Sequence, residues 1–126
     1  MIRLIYAAAF ISLGLSAAAH EMSPTYPVLR GSHVSNIMTT TMTLFNKRQD
    51  IDFYEIGVFD EEWNSIDFAS LYKIINVPYM TEVKFDIYIK SGDAKRAEYI
   101  CSVSKALKND PRATSVKSRI CSRVSN

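Results

Sequence analysis

The sequence predicts an all-β domain, folded as a two-sheet sandwich of about seven strands and closed by one disulfide. Three observations carry this expectation. Hydrophobic spacing is of period two from residue 36 onward, turn residues break the chain at short intervals, and two cysteines stand symmetrically about a breaker-rich segment near the C-terminus. No stretch of a dozen residues sustains the apolar stripe of a helix.

Met1, Ile2 and Arg3 lead into the apolar run Leu4 to Leu15, and Ser16-Ala17-Ala18-Ala19 supplies the small residues of a cleavage site. Residues 1–19 therefore read as a secretory signal peptide, with His20 as the first residue of the mature chain. The apolar run is shorter than the roughly 20 residues that a membrane-spanning helix needs. Residues 20–126 remain as one domain with one core.

A first strand is expected around Tyr26 to Arg30. Met38, Thr40, Met42 and Leu44 then alternate with Thr39, Thr41 and Thr43, in a β-branched run that stops at the polar group 46–50. Tyr54, Ile56 and Val58 alternate in the next strand, which ends at Asp60-Glu61-Glu62. Ile66 to Phe68 and Leu71 to Val77 are weaker, and Pro78 terminates them, as expected of edge or sheet-switching segments. Val83, Phe85, Ile87 and Ile89 alternate most clearly, one face apolar and the other wet. After a turn at Ser91-Gly92-Asp93, Arg96 to Leu107 and Thr114 to Val124 form the closing pair. A hairpin that sets Cys101 opposite Cys121 has its centre at Pro111, so disulfide and turn demand the same register. That register puts Val116, Ile120 and Val124 on the core face and Lys117, Arg119, Cys121 and Arg123 on the other.

Without Arg3 the mature chain has 14 basic and 13 acidic residues, which argues against a nucleic-acid partner. Export makes a Cys101–Cys121 disulfide the expected state, and no partner in a membrane is expected once the leader is removed. Catalytic signals are sparse. Asp60, Glu61 and Glu62 are consecutive acids in a turn, of the kind water usually solvates, and no nucleophile motif or glycine-rich phosphate loop is present. The chain reads as a non-enzyme that needs no cofactor. A copper site is a minor alternative: His20 as mature N-terminus, with its imidazole and amine, and His33 as a further ligand. The plainer reading places His20 in a flexible end. Met38 and Met42 fall on a core face and form no thioether cluster. Arg30 and Arg119 lie near the ends of the first and last strands, where a guanidinium fork could pair with a carboxylate.

The runs Met42-Thr43-Leu44-Phe45-Asn46, Phe53-Tyr54-Glu55-Ile56 and Glu62-Trp63-Asn64-Ser65-Ile66 resemble the second and third strands of the N-terminal domain of periplasmic pilus-assembly chaperones. Arg96 to Leu107 is similar to that family's sixth strand, and Ser118-Arg119-Ile120-Cys121-Ser122-Arg123 to the end of its seventh. The resemblance implies an immunoglobulin-like sandwich that binds another exported protein, a pilin-like subunit or assembly component, through a sheet edge. It places Arg30 at the family's first-strand arginine and Arg119 where a lysine is expected, with Lys117 and Arg123 beside them. Asp110, Arg112, Thr114, Val116 and Ser118 occupy the face where the family presents bulky apolar residues to its subunit. The alternative reading of the resemblance is a structural component of a surface or secretion assembly.

Overall fold

The computed structural model describes residues 20–106, 111 and 116–125. Eight strands form two antiparallel sheets: β1 (His20–Ser23), β2 (Arg30–Gly31), β3 (Ile37–Asn46), β4 (Phe53–Phe59), β5 (Ile74–Asn76), β6 (Glu82–Lys90), β7 (Tyr99–Lys105) and β8 (Arg119–Arg123). In the first sheet β1 and β2 share one flank of β3, and β6 takes the other. The second runs β5-β4-β7-β8, so β8 is an edge strand.

The period-two pattern sets the core. Met42, Leu44, Ile87 and Ile89 face Tyr54, Ile56, Val58 and Ile100, each 3% exposed or less. Shifting either set by one residue would turn its apolar side chains to water, so register and burial fix one another. Strand β7 pairs Cys101 with Cys121, and the two are joined as a disulfide.

Several local expectations change. The first strand expected at Tyr26 to Arg30 is not formed as such: β1 lies before it at His20–Ser23 and only Arg30 of the run enters β2, since Pro24 and Pro27 cannot donate to a ladder. Between them the chain crosses to the other sheet, where Val28 bridges Ser125 in parallel. Of residues 66–77 only Ile74–Asn76 is a strand. Ser65 bridges Phe59 and Ala69 bridges Tyr88, because this segment passes from the second sheet to the first and cannot hold one ladder. The turn expected at Ser91-Gly92-Asp93 is a four-residue helix, Ser91–Ala94. Val116 is 65% exposed and not in the core, since β8 begins only at Arg119. Asp110, Arg112 and Thr114, which belong to the expected donor face, lie outside the described residues.

Candidate binding edge

Strand β8 meets β7 through its even-numbered residues: Ser104 N–H donates to the Ser118 carbonyl at 2.9 Å, and Val124 N–H to Glu98 at 2.8 Å. The odd-numbered main chain therefore points away from the sheet. Arg123 and Ser125 donate outward to the Thr25 and Pro27 carbonyls, at 3.0 and 2.8 Å. Upstream of them, no described strand pairs with the outer edge at Arg119 and Cys121. No described main-chain hydrogen bond uses the outward groups of Arg119 and Cys121, although β1 of the other sheet lies close to this strand.

The same alternation puts Cys101 and Cys121 in a non-hydrogen-bonded pair, the position where facing side chains approach most closely. Their Cα atoms are 4.0 Å apart. Aromatic side chains flank this bond. Gly57 lies opposite Cys101, and a Cβ there would stand 2.8 Å from the Phe59 ring, so glycine lets Phe59 fold back over the sheet. Trp63 stacks on Tyr99 with centroids 4.2 Å apart and planes 5° off parallel. Arg119 lays its guanidinium 4.7 Å from the Trp63 centroid and 5.2 Å from that of Phe59. No described carboxylate pairs with Arg119. It is a cation held in place by ring faces, with its charge still open to solvent.

Trp63 reaches this place from a turn that Asp60 organises. The Asp60 carboxylate accepts the backbone N–H groups of Glu62 and Asn64 at 3.0 and 2.8 Å, and the Asn64 side-chain amide at 3.2 Å. The Asn64 backbone bond leads the causes that lower its pKa below the usual carboxylate value. Asp60 is thus buried and structural, not the solvated turn acid expected, whereas Glu61 and Glu62 are exposed. Trp63 adopts φ 66°, a left-handed conformation that a bulky residue avoids unless its surroundings impose it.

Among the remaining expected site residues, Lys117 is exposed ahead of β8, and Arg123 lies 3.8 Å from Glu98. Arg30 pairs with Thr39 in the other sheet. From the parallel bridge at Val28 and Ser125, Arg30 lies two residues onward and Arg119 six residues back. That separates them by about 25 Å along the strands. The structure does not bring Arg30 and Arg119 together.

His20 is neither a flexible end nor an open ligand. It is 1% exposed, in β1 opposite Asn46. Nε2 lies 2.9 Å from the Ser102 hydroxyl and Nδ1 3.1 Å from that of Ser118. His33 is exposed beyond the other end of β3, about 30 Å away along the strand, so the two cannot share a copper ion. Arg48 extends the same polar cluster: it pairs with Asp50 at 2.6 Å and donates to the Val116 carbonyl at 3.0 Å. Loop 47–52 is thereby tied to the segment entering β8.

Burial holds the His20 pKa down at about 4 from 6.5, and the nearby Arg48 charge adds to this. A histidine depressed in the fold takes up protons more readily when unfolded, so stability falls as pH drops from 6.5 toward 4. The full span corresponds to about 3 kcal/mol. Urea unfolding at a series of pH values should show this loss, and His20→Gln should remove the part of the slope between pH 4 and 6.5. An unaltered slope in the variant would contradict the assignment.

Sequence reasoning missed Trp63 as a support for Arg119, and missed the His20–Ser102–Ser118 contacts. The lone tryptophan just after three acids was the visible signal for the first. For the second no local signal exists, because the partners are 82 and 98 residues away.

Compared with solved structures, the chain is similar to the E. coli chaperone DraB, with a TM-score of 0.61 at 12% sequence identity. The match covers 83% of this chain and 52% of the other, so this chain spans about half the length of that protein. At such low identity the likeness shows the fold. No protein-family model and no curated protein matches the sequence.

Proposed function

We propose that this is an exported, chaperone-like, non-catalytic domain that binds another exported protein by adding a strand of that partner along the outer edge of β8. The observation that carries the reading is the stretch Arg119–Cys121, with no described strand on its outer edge, and a guanidinium that no described carboxylate pairs, fixed on Trp63 and Phe59 beside it. Outward main-chain groups supply affinity for any extended segment, and a placed charge selects a register. A carboxylate of the partner would meet the Arg119 fork without first ordering the side chain, because the rings already hold it. Lys117 and Arg123 add positive charge on the same face. The resemblance to pilus-assembly chaperones and the fold shared with DraB support a protein-binding role. Export rests on the N-terminal apolar segment.

Arg30 has no part in this anchor, given its distance. The test uses tagged protein recovered from its native envelope, with the co-recovered partner identified by mass. Arg119→Glu should lose the partner by at least about tenfold while keeping its melting temperature, since an exposed charge contributes little to folding. Arg30→Glu should retain it. Undiminished recovery with Arg119→Glu would remove the β8 edge from the interface.

A further inference from the structure

On the opposite side of the sandwich, β6 is also an edge. Tyr88 exchanges both main-chain hydrogen bonds with Ala69, at 2.8 and 2.9 Å, which shows that the even-numbered residues of β6 turn outward. Glu82, Lys84 and Asp86 therefore present outward main chain, and no described strand covers them. Beside this edge a groove of about 480 Å³ is lined by Leu71, Tyr72 and Ile75 and by the β6 residues 83–86 and 88, so that Lys84 and Asp86 border its apolar floor. Leu71 is 83% exposed and Tyr72 64%. Tyr79 and Met80, in the turn that leads into β6, are 46% and 57% exposed. Long open edges with apolar flanks are what soluble β proteins ordinarily avoid unless a partner uses them.

We infer that a second copy of this chain occupies this edge, pairing its own β6 antiparallel to the first about a two-fold axis at Val83. The charges select the occupant and the register. A two-fold pairing must set even residues against even ones, because those carry the outward groups. Centred on Phe85, it would drive residue 82 of the copy into the place that Ala69 already fills beside Tyr88. Centred on Lys84, it would lay Lys84 on Lys84 and Glu82 on Asp86, both like-charge pairs. Centred on Val83, it sets Glu82 of each chain against Lys84 of the other and Val83 against Val83. The copy's chain then turns away at Pro78–Thr81 before reaching Ala69. The turn bearing Tyr79 and Met80 of one copy comes over Leu71 and Tyr72 of the other, covering apolar surface on both. This surface is separate from the β8 edge, so either proposal can fail without the other.

Sedimentation equilibrium of the purified protein across a wide concentration range tests it. The protein should dimerise reversibly. Glu82→Lys or Lys84→Glu alone replaces both attractive pairs by repulsive ones and should raise the dimer dissociation constant by about tenfold or more. The double variant Glu82→Lys with Lys84→Glu restores both pairs and should recover the dimer. The Glu82 and Lys84 side chains are both exposed, and circular dichroism with melting temperature should confirm an unchanged fold. A protein that stays monomeric throughout, single variants that dimerise as well as the parent, or a double variant no better than the singles would each overturn the inference.

Discussion

Asn46→Ala is expected to destabilise the fold by about 4 kcal/mol and to lower the melting temperature by at least about 15 °C. Asn46 is fully buried at the end of β3, where its side chain makes four hydrogen bonds. Its amide donates to the Ile51 and Val77 carbonyls at 2.6 and 2.8 Å. Its oxygen accepts the Arg48 N–H at 2.8 Å and the Tyr54 hydroxyl. Alanine leaves all four partners without this side chain and opens a void among them, and each buried polar group left unmatched costs roughly 1–3 kcal/mol. Asn46→Asp tests the directions of the bonds: a carboxylate cannot donate to two carbonyls, so it should be nearly as damaging. Tyr54→Phe, which removes one hydroxyl, should cost only about 1 kcal/mol. Urea unfolding followed through Trp63, the single tryptophan, measures all three. A loss below about 1 kcal/mol for Asn46→Ala would show that the loop after β3 does not depend on this residue.

Replacing Cys101 and Cys121 by alanine together is expected to cost about 3 kcal/mol, the value of a cross-link that closes some 20 residues in the unfolded chain. The consequence should be uneven. Strand β8 is five residues long and has one neighbour along most of its length, so without the cross-link it should fray before the core opens. Arg119 then loses its fixed relation to Trp63, and partner recovery should fall in the double variant even at temperatures where the core remains folded. Unchanged stability and unchanged recovery together would show that β7 alone holds β8 in place.

The sandwich was legible in the sequence because burial and the period-two pattern are the same fact seen twice. The alternations at Met38 to Leu44, Tyr54 to Val58 and Val83 to Ile89 each appear as strands with the expected face inward. The disulfide register was legible because the two cysteines had to face one another on the closing strands, as Cys101 and Cys121 do; the turn expected between those strands lies, Pro111 apart, outside the described residues. Residues that change sheets were not. Segments 24–29 and 65–73 obey no single period: Pro24 and Pro27 interrupt the first, and the second, which holds no proline, shows its crossing only in the isolated bridges of Ser65 and Ala69. The candidate site was half legible. Arg119 was visible as a basic residue on the closing strand, whereas its support by Trp63 depends on a left-handed turn whose geometry Asp60 imposes from three residues away. The pairing of Arg30 with Arg119 failed because sequence order placed both near strand ends, and the parallel bridge at Val28 sends those ends in opposite directions.

The central claim, that the outer edge of β8 receives a strand of another protein, is tested most directly by amide hydrogen exchange at Arg119 and Cys121. In the free protein both amides should exchange fast, since their N–H groups point away from β7. In the complex with the partner recovered from the envelope, both should become strongly protected while the already bonded amides of Val124 and Ser104 change little. Fast exchange at Arg119 and Cys121 in the saturated complex would contradict the account.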